Sequence, residues 1–200
     1  ETPIDTQGKA VTIRGIPDVN GDGMPETILD GDVTTTVLIC QSGETAATIF
    51  ENLVIQNGVG VEYDMDGDTM IAADEIVGGG MFNRGASPTL VNCTFTNNSA
   101  AHGGGMFNVE NSSPDVTDCT FSGNTAGSAG GGMYNVESSP TLTNSIVCSN
   151  SPDQISGDYA DGGGNCITEV CDTDGDQTLD CFDNCPDDPN KTEPGDCGCG

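Results

Sequence analysis

The chain has very few positive charges. Among its 200 residues, Lys and Arg total 4 whereas Asp and Glu total 32, which gives a formal net charge of −28 at pH 7. Proteins that bind nucleic acid need a basic face to replace counterions along the phosphate backbone, so this charge argues against a nucleic-acid partner. It also disfavours anionic lipids and acidic polysaccharides unless bound cations bridge the contact.

Large aromatic side chains and long apolar runs are also scarce. Trp is absent, aromatic residues amount to 4 % and hydrophobic residues to 34 %. A core built on large rings is therefore excluded, and no apolar run is long enough to span a membrane. A chain of this composition stays disordered unless a repeat or a bound metal organises its polar residues.

The sequence contains an internal repeat. The block GGGMFN at residues 78–83 returns at 103–108, and GGGMYN follows at 130–135, so the spacings are 25 and 27 residues. Between these blocks lie SPTL at 87–90, SPDV at 113–116 and SPTL at 139–142. A third block, NCTF at 92–95, returns as DCTF at 118–121 and NSIV at 144–147, and NLVI at 52–55 is an earlier copy. Self-similarity of this length indicates stacked repeats.

The repeated blocks are short, rich in β-forming residues and separated by Gly, Pro, Ser and Asn, and they lack helical periodicity. We therefore predict an all-β fold: a right-handed single-stranded parallel β-helix over residues 1–165, with insertions near residues 18–26 and 61–77. Each turn would stack about 4.8 Å from the next. An irregular C-terminal tail, stabilised by calcium and disulfides, is expected over residues 166–200.

Stacking places equivalent residues of successive repeats above one another and so predicts columns of side chains. Three columns are expected to face inward: Leu90, Val116 and Leu142; Cys93, Cys119 and Ser145; Phe95, Phe121 and Val147. Cys93 and Cys119 are predicted to be adjacent free thiols. A corner with left-handed backbone is predicted at Asn92, Asp118 and Asn144, because Asn and Asp tolerate that conformation.

Two further columns are adjacent along the chain, so one must face inward and the other outward. We expect the methionine column, formed by Met81, Met106 and Met133, to face inward. The aromatic column, formed by Phe82, Phe107 and Tyr134, is then expected to face outward. There it would either offer a stacking surface to a neutral sugar or a partner protein, or simply pack into a core.

Three acidic segments place oxygen ligands at alternating positions, which is typical of loops that wrap a hard cation. Loop 1 has Asp18, Asn20, Asp22, the carbonyl of Met24 and Glu26 at positions 1, 3, 5, 7 and 9. Loop 2 has Asp64, Asp66, Asp68, the carbonyl of Met70 and Glu75 at positions 1, 3, 5, 7 and 12. Loop 3 has Asp172, Asp174, Asp176, the carbonyl of Thr178, Asp180 and Asp183 at positions 1, 3, 5, 7, 9 and 12.

Three such loops in a chain of net charge −28 predict Ca²⁺ binding rather than three solvated acidic loops. Mg²⁺ is disfavoured because it retains water and demands near-ideal octahedral geometry. Zinc is disfavoured because His102 is the single histidine and the cysteines are expected to pair.

Two parts of the chain resemble known families. Gly79 and Gly80 with Met81, together with segments 95–98 and 121–124, resemble the repeats of chlamydial polymorphic outer-membrane proteins and of bacterial surface β-helix proteins. This resemblance spans roughly residues 11–150 and implies a secreted or surface β-helix, often an adhesin. Residues 172–186 resemble a thrombospondin type 3 repeat, which implies that calcium and disulfides replace a hydrophobic core in the tail.

Cysteine usage favours an extracellular or cell-surface location. The chain has 10 cysteines, and those from Cys166 onward are crowded into the tail, as in proteins of oxidising compartments. Six tail cysteines allow 15 pairings among themselves, and the sequence does not choose between them.

Residues for catalysis are sparse. A lyase acting on polyuronates needs cationic groups, but Lys9, Arg14, Arg84 and Lys191 do not recur on one face. A glycosidase needs two opposed carboxylates, and the repeated strands carry almost none. His102, which any Ser-His-Asp triad would require, is expected to be a solvated turn residue.

We therefore predict a non-catalytic, calcium-stabilised extracellular protein that acts as an adhesin or structural scaffold. Head-to-tail stacking of copies into a filament is expected from the open ends of a β-helix. A glycan or a surface protein is the candidate ligand, and no membrane span is expected. The alternative is a carbohydrate-active β-helix module, lyase-like or glycosidase-like, or a glycan-binding module.

Overall fold

The structure is a computed structural model that describes residues 2–68, 70, 72–190 and 193. Its first strands are β1 (Ile4–Asp5), β2 (Thr12–Arg14), β3 (Ile28–Asp30), β4 (Leu38–Cys40), β5 (Ile49–Gln56), β6 (Val61–Glu62) and β7 (Ile76–Val77). A single 3₁₀ turn, Ala73–Glu75, precedes β7 among the described residues. The next strands are β8 (Met81–Arg84), β9 (Thr89–Thr96), β10 (Ser99–His102), β11 (Met106–Val109), β12 (Asp115–Thr117), β13 (Thr120–Ser122) and β14 (Thr125–Ala129). The last strands are β15 (Met133–Asn135), β16 (Thr141–Thr143), β17 (Ile146–Cys148), β18 (Ile155–Ser156), β19 (Ala160–Asp161) and β20 (Cys166–Thr168).

The strands form three sheets that the chain visits in turn. Sheet A contains β1, β4, β8, β11, β15 and β18 in that order. Sheet B contains β2, β3, β5, β9, β12, β13, β16, β17, β19 and β20, and sheet C contains β6, β7, β10 and β14. Among the described strands, every pairing is parallel except that of β6 with β7. The fold is therefore all-β with mostly parallel sheets, as predicted.

The predicted register is confirmed. Leu90 pairs with Val116 and Val116 with Leu142, while Phe95, Phe121 and Val147 align in the same way. All of these side chains are fully buried in one core together with the methionine column. The rings of Phe95 and Phe121 stack nearly parallel with centroids 4.5 Å apart. The segment NLVI at 52–55, predicted to be an earlier copy of the third block, has the same register, because Leu53 aligns with Cys93.

The predicted corner is confirmed as well. Asn52, Asn92, Asp118 and Asn144 have φ values of 57°, 49°, 54° and 49°, which is the left-handed region that Asn and Asp tolerate. The Nδ2 of Asn92 donates to Oδ1 of Asn52 at 2.8 Å. Cys93 and Cys119 lie on neighbouring segments of the stack as buried free thiols. The Cys93 N–H donates to Cys119 Sγ at 3.4 Å, and the Cys119 N–H donates to Ser145 Oγ at 3.2 Å.

A second ladder, of buried asparagines, crosses the stack. Asn98 Nδ2 donates to Asn124 Oδ1 at 3.0 Å, and Asn124 Nδ2 donates to Asn150 Oδ1 at 2.9 Å. Each amide also donates to a backbone carbonyl of the preceding repeat, and Gln154 ends the ladder at Asn150. Because every amide finds a partner, these buried polar groups avoid the cost of unmet hydrogen bonds.

Glycine blocks allow the close approach of successive repeats. A Cβ on Gly80 would lie 2.6 Å from the carbonyl oxygen of Gly105, and one on Gly105 would lie 2.4 Å from that of Gly132. Since both obstacles are backbone atoms, the repeats could not stack at this spacing with larger residues. The GGG blocks are therefore a packing requirement of the stack.

The aromatic column faces away from the methionine column, as expected, but it is not an open surface. Phe82 and Phe107 are buried in a second apolar cluster with Val77 and Tyr134, separate from the main core. Tyr63 covers them, with its ring centroid 5.4 Å from that of Phe82 and 6.1 Å from that of Phe107. Of the two alternatives for Phe82 and Phe107, a stacking surface or packing into a core, the structure shows the second, because Tyr63 of the insertion at 61–77 covers both rings.

The tail is attached to the stack by disulfides. Cys148 is bonded to Cys171 and Cys166 to Cys181. The assumption that the six tail cysteines pair among themselves was wrong, since Cys171 of the tail is bonded to Cys148, the last residue of β17. Sheet B extends to Thr168, beyond the predicted boundary at residue 165. Lys191, Thr192 and residues 194–200 of the predicted tail lie outside the described residues. The described part of the chain has no helix that could traverse a lipid bilayer.

Candidate cation-binding loops

The three acidic loops occupy three different places in the fold. Loop 1 connects β2 to β3, loop 2 is the end of the hairpin formed by β6 and β7, and loop 3 follows β20. Each is anchored at its base: the Glu26 N–H donates to the Ile16 carbonyl, the Tyr63 N–H to the Glu75 carbonyl, and the Asp180 N–H to the Cys171 carbonyl. Each loop is therefore closed at its base by a hydrogen bond between its own two ends.

All three loops share one pattern of hydrogen bonds. The carboxylate at position 1 accepts from the glycine N–H at position 4, with distances of 2.6 Å for Asp18–Gly21, 2.6 Å for Asp64–Gly67 and 2.7 Å for Asp172–Gly175. Side-chain oxygens at positions 3 and 5 accept from the N–H groups at positions 5 and 7 in each loop. Each chain segment thus curls around its own side-chain oxygens.

A closing carboxylate completes the pattern. Glu26, Glu75 and Asp180 each accept from the backbone N–H at position 2, at distances of 3.3, 2.7 and 2.8 Å. Asp180 also accepts from the hydroxyl of Thr173, so both of its oxygens are engaged. Position 12 in loop 2 and position 9 in loops 1 and 3 therefore have the same structural role.

The glycine at position 4 is required by conformation rather than by space. Gly21, Gly67 and Gly175 have φ values of +83°, +79° and +79°, and a Cβ at any of them would meet nothing within 4 Å. Only a residue that tolerates positive φ can make this bend. The recurrence of Gly after Asn20, Asp66 and Asp174 is a sequence signal from which the bend common to all three loops could have been predicted.

Carboxylates crowd together without a balancing positive charge. In loop 2 the ligand oxygens of Asp64, Asp66 and Asp68 lie within 4.8 Å of one another, and so do those of Asp172, Asp174 and Asp176 in loop 3. Loop 1 has the amide of Asn20 at the equivalent place. The two ion pairs within the described residues, Arg14–Glu51 and Arg84–Glu110, lie elsewhere. Such sets of hard oxygen ligands could hold a hard divalent cation.

Loop 3 is the loop in which buried carboxylate oxygens lack a hydrogen-bond partner within the described residues. The Oδ2 atoms of Asp174 and Asp183 are buried and have no hydrogen-bond partner within the described part of the chain, and Asp183 is only 7 % exposed. Burial raises the pKa of Asp174, and the neighbouring carboxylates of Asp176, Asp183 and Asp172 raise it further. The exposed loop 1 contrasts with this, because N–H groups of Gly21 and Gly23 lower the pKa of Asp18.

The structure brings most predicted ligands together, although their role in cation binding stays a prediction. The side chains of Met24 and Met70 are 37 % and 71 % exposed, which suits positions predicted to contribute only their carbonyl oxygens. Asp183 turns inward in loop 3, whereas Asp180 is used for closure. The burial of Asp183 could not be foreseen from spacing alone.

His102 differs from the sequence expectation. It ends β10 rather than lying in a solvated turn, and its ring stacks on Tyr134 with centroids 4.9 Å apart. Burial lowers the pKa of His102, although Asp74 opposes the shift.

No protein-family model, curated protein or solved structure matches this chain.

Proposed function

We propose that the chain is a non-catalytic, calcium-stabilised extracellular protein that acts as an adhesin or structural scaffold. The observation that carries the proposal is the common geometry of the three acidic loops. Three segments that share an Asp-x-Asx-Gly-Asp pattern curl in the same way around oxygens at positions 1, 3 and 5, and in each a further carboxylate accepts from the N–H at position 2. Asp and Asn side chains form the bonds two residues apart by themselves, so the closing carboxylate, which is seven to ten residues from its donor, is the feature that supports a common cation-binding role.

We further propose that the strands form a right-handed single-stranded parallel β-helix. The chain passes from sheet A to sheet B in every turn and continues through sheet C in the middle turns, and equivalent residues pair in parallel with the next repeat. This arrangement produces a long scaffold with a stable core and regularly spaced outer positions. It suits a surface protein whose insertions, rather than its strands, carry the specific features.

Calcium is the ion that best fits the loops. It accepts six to eight oxygen ligands, including carboxylates and backbone carbonyls, in flexible geometry. A net charge of −28 opposes compaction unless cations neutralise part of it. In loop 3, a bound cation would provide the partner that the buried oxygens of Asp174 and Asp183 lack within the described residues.

An extracellular location is supported by the disulfides Cys148–Cys171 and Cys166–Cys181, since such bonds persist in oxidising compartments. A non-catalytic role is supported by the pairing of Arg14 with Glu51 and of Arg84 with Glu110. Each arginine already faces a carboxylate, which reduces the net positive charge that it could offer to an acidic substrate. Head-to-tail self-association is part of the proposal, and a monomer at high concentration in sedimentation with calcium present would argue against it.

Calcium dependence is tested by calorimetric melting with calcium or with a chelator, combined with hydrogen exchange by region. We expect calcium to stabilise the fold by about 4 kcal/mol at a thousandfold excess over its dissociation constant. Asp174→Ala should abolish the calcium-dependent stabilisation of the tail. Asp66→Ala should abolish that of the 61–77 hairpin. Asp187→Ala, an exposed tail carboxylate outside loop 3, is the control. Identical melting with calcium and chelator would contradict the proposal.

A further inference from the structure

The sequence contains two Asn-Gly steps, Asn20-Gly21 and Asn57-Gly58. At such a step the glycine nitrogen can attack the side-chain amide carbon of the asparagine, because glycine has no side chain to obstruct it. The reaction converts asparagine into an acid. The reaction depends on how freely the glycine nitrogen can approach the asparagine Cγ. The surroundings of the two Asn-Gly steps differ in this respect.

At Asn20 the local hydrogen bonds favour the reaction. The Gly21 N–H donates to Asp18 Oδ1 at 2.6 Å, so a carboxylate is in place to accept the proton of the attacking nitrogen. The Asp22 N–H donates to Asn20 Oδ1 at 2.9 Å, which polarises the amide carbonyl and stabilises charge that develops on its oxygen. Asn20, Gly21 and Asp22 are all exposed to solvent, which supplies the water for hydrolysis.

At Asn57 both partners are held apart from the reaction. Its Nδ2 donates to the two carboxylate oxygens of Asp30 at 3.1 and 3.0 Å. The Gly58 N–H donates to the buried Oδ1 of Asn98 at 2.9 Å, and this amide oxygen, unlike the carboxylate of Asp18, is not a base that could take the proton. Gly58 is itself buried, and a Cβ there would overlap the Gly79 carbonyl oxygen. The nitrogen therefore cannot turn towards the Asn57 side chain without opening the stack.

We propose that Asn20 is a self-modifying residue that deamidates to an aspartate in the folded protein while Asn57 does not. The bond from Gly21 N to Asn20 Cγ forms, the Cγ–Nδ2 bond breaks, and ammonia leaves with the proton given up by the Gly21 nitrogen. Water then adds to Cγ of the cyclic imide and breaks the bond between Cγ and the Gly21 nitrogen, which leaves an aspartate side chain on an ordinary main chain. The net reaction consumes one water and releases one ammonia, so no oxidant or reductant takes part.

The product changes loop 1 in a defined way. The net charge moves from −28 to −29, and position 3 gains the carboxylate that Asp66 and Asp174 supply in loops 2 and 3. This consequence rests on the proposed cation role of the loops: as the protein ages and conversion accumulates, the cation affinity of loop 1 would increase. The reaction at Asn20 does not itself depend on that role.

The test incubates the intact folded 200-residue chain with a chelator at mildly alkaline pH and follows both Asn-Gly steps by peptide mass spectrometry. We expect conversion at position 20 with loss of ammonia and an unchanged peptide containing Asn57. In urea, where the fold is lost, both steps should convert at similar rates. Conversion of both at equal rates in the folded protein, or of neither, would overturn the proposal.

Two further measurements sharpen the result. Gly21→Ala should suppress conversion at position 20, and an unchanged circular dichroism spectrum would show that the stack still folds. An isoaspartyl methyltransferase assay distinguishes aspartate at position 20 from isoaspartate, in which the main chain runs through the side-chain carbon. If isoaspartate were the sole product, the claim that position 20 gains a carboxylate equivalent to those of Asp66 and Asp174 would be wrong. Calcium titration of the converted protein tests the cation role separately, because the mass change is measured without calcium.

Discussion

The strand stack, up to Thr168, and the described tail, residues 169–190, are held together by different forces. The stack buries columns of Leu, Phe and Met and links the buried amides of Asn98, Asn124 and Asn150 with one another. The tail leaves Val170 and Phe182 46 % and 62 % exposed. It is fixed by the disulfides Cys148–Cys171 and Cys166–Cys181 and by hydrogen bonds to carboxylates. The same chain therefore uses apolar burial where it repeats, and covalent and electrostatic fixation where it does not.

The largest effect that distinguishes the two regions is expected from a phenylalanine in each. Phe121 is fully buried against Phe95, so Phe121→Ala should lower the free energy of unfolding by about 3–5 kcal/mol. Phe182→Ala in the tail should change it by less than about 0.5 kcal/mol, because that side chain is mostly exposed. Urea denaturation measures both. Equal losses would remove the distinction between stack and tail.

Removing a tail disulfide should have the next largest effect, but only in the tail. The double change Cys166→Ser and Cys181→Ser frees the loop 3 segment, and we expect a local loss of about 2–4 kcal/mol. Limited proteolysis should then cut within 169–190 while the stack stays intact. Cys93→Ser, which alters a free buried thiol, is the control and should leave the tail resistant. Simultaneous loss of the stack would show that the two regions unfold together.

The stack also contains a strongly fixed charge, which predicts a pH effect. Burial alone would raise the pKa of Glu44, but hydrogen bonds from the Gly8 N–H, the Thr6 hydroxyl and the Ser42 N–H outweigh it and lower the pKa. Because the folded-state pKa is lowered, this stabilisation is present above the unfolded-state pKa and is lost as the pH falls through the folded-state pKa. Glu44→Gln should therefore cost about 1–2 kcal/mol at neutral pH and progressively less in acid.

The measurement is the free energy of unfolding of both forms across the acid range. Glu62→Gln changes an exposed glutamate on β6 and should show no such pH-dependent difference. A cost of Glu44→Gln that stays constant with pH would mean that packing, rather than the charge, fixes this turn.

The smallest effect, in loop 3, should reverse sign with calcium. Asp183→Asn removes a buried negative charge beside Asp174, so in chelator it should stabilise the tail by about 1 kcal/mol. In calcium the same change should destabilise the tail, because it removes a ligand. Hydrogen exchange of residues 169–190 under both conditions reports the sign, with Asp187→Asn as the control. The same sign in both conditions would argue against a cation at Asp183.

The repeating part of the molecule follows from the order of its amino acids. In a parallel stack each residue lies beside its equivalent in the next repeat, so the alignment of Leu90 with Val116, and the left-handed corner at Asn92, follow from the repeat alone. The acidic loops were also visible, because alternating carboxylates and an adjacent glycine are local features. Their shared curl depends on hydrogen bonds within a dozen residues.

Which segment covers which, in contrast, depends on the three-dimensional arrangement of the chain. Phe82 and Phe107 are buried because Tyr63, which belongs to a non-repeating hairpin, folds back over sheet A. Cys171 bonds to Cys148 because the tail returns to β17, and Asp183 is buried by the way loop 3 folds rather than by its spacing. These contacts join segments outside the repeat period, so no pattern in the sequence fixes their partners. Periodicity specifies neighbours within the stack, whereas insertions find theirs through long-range packing.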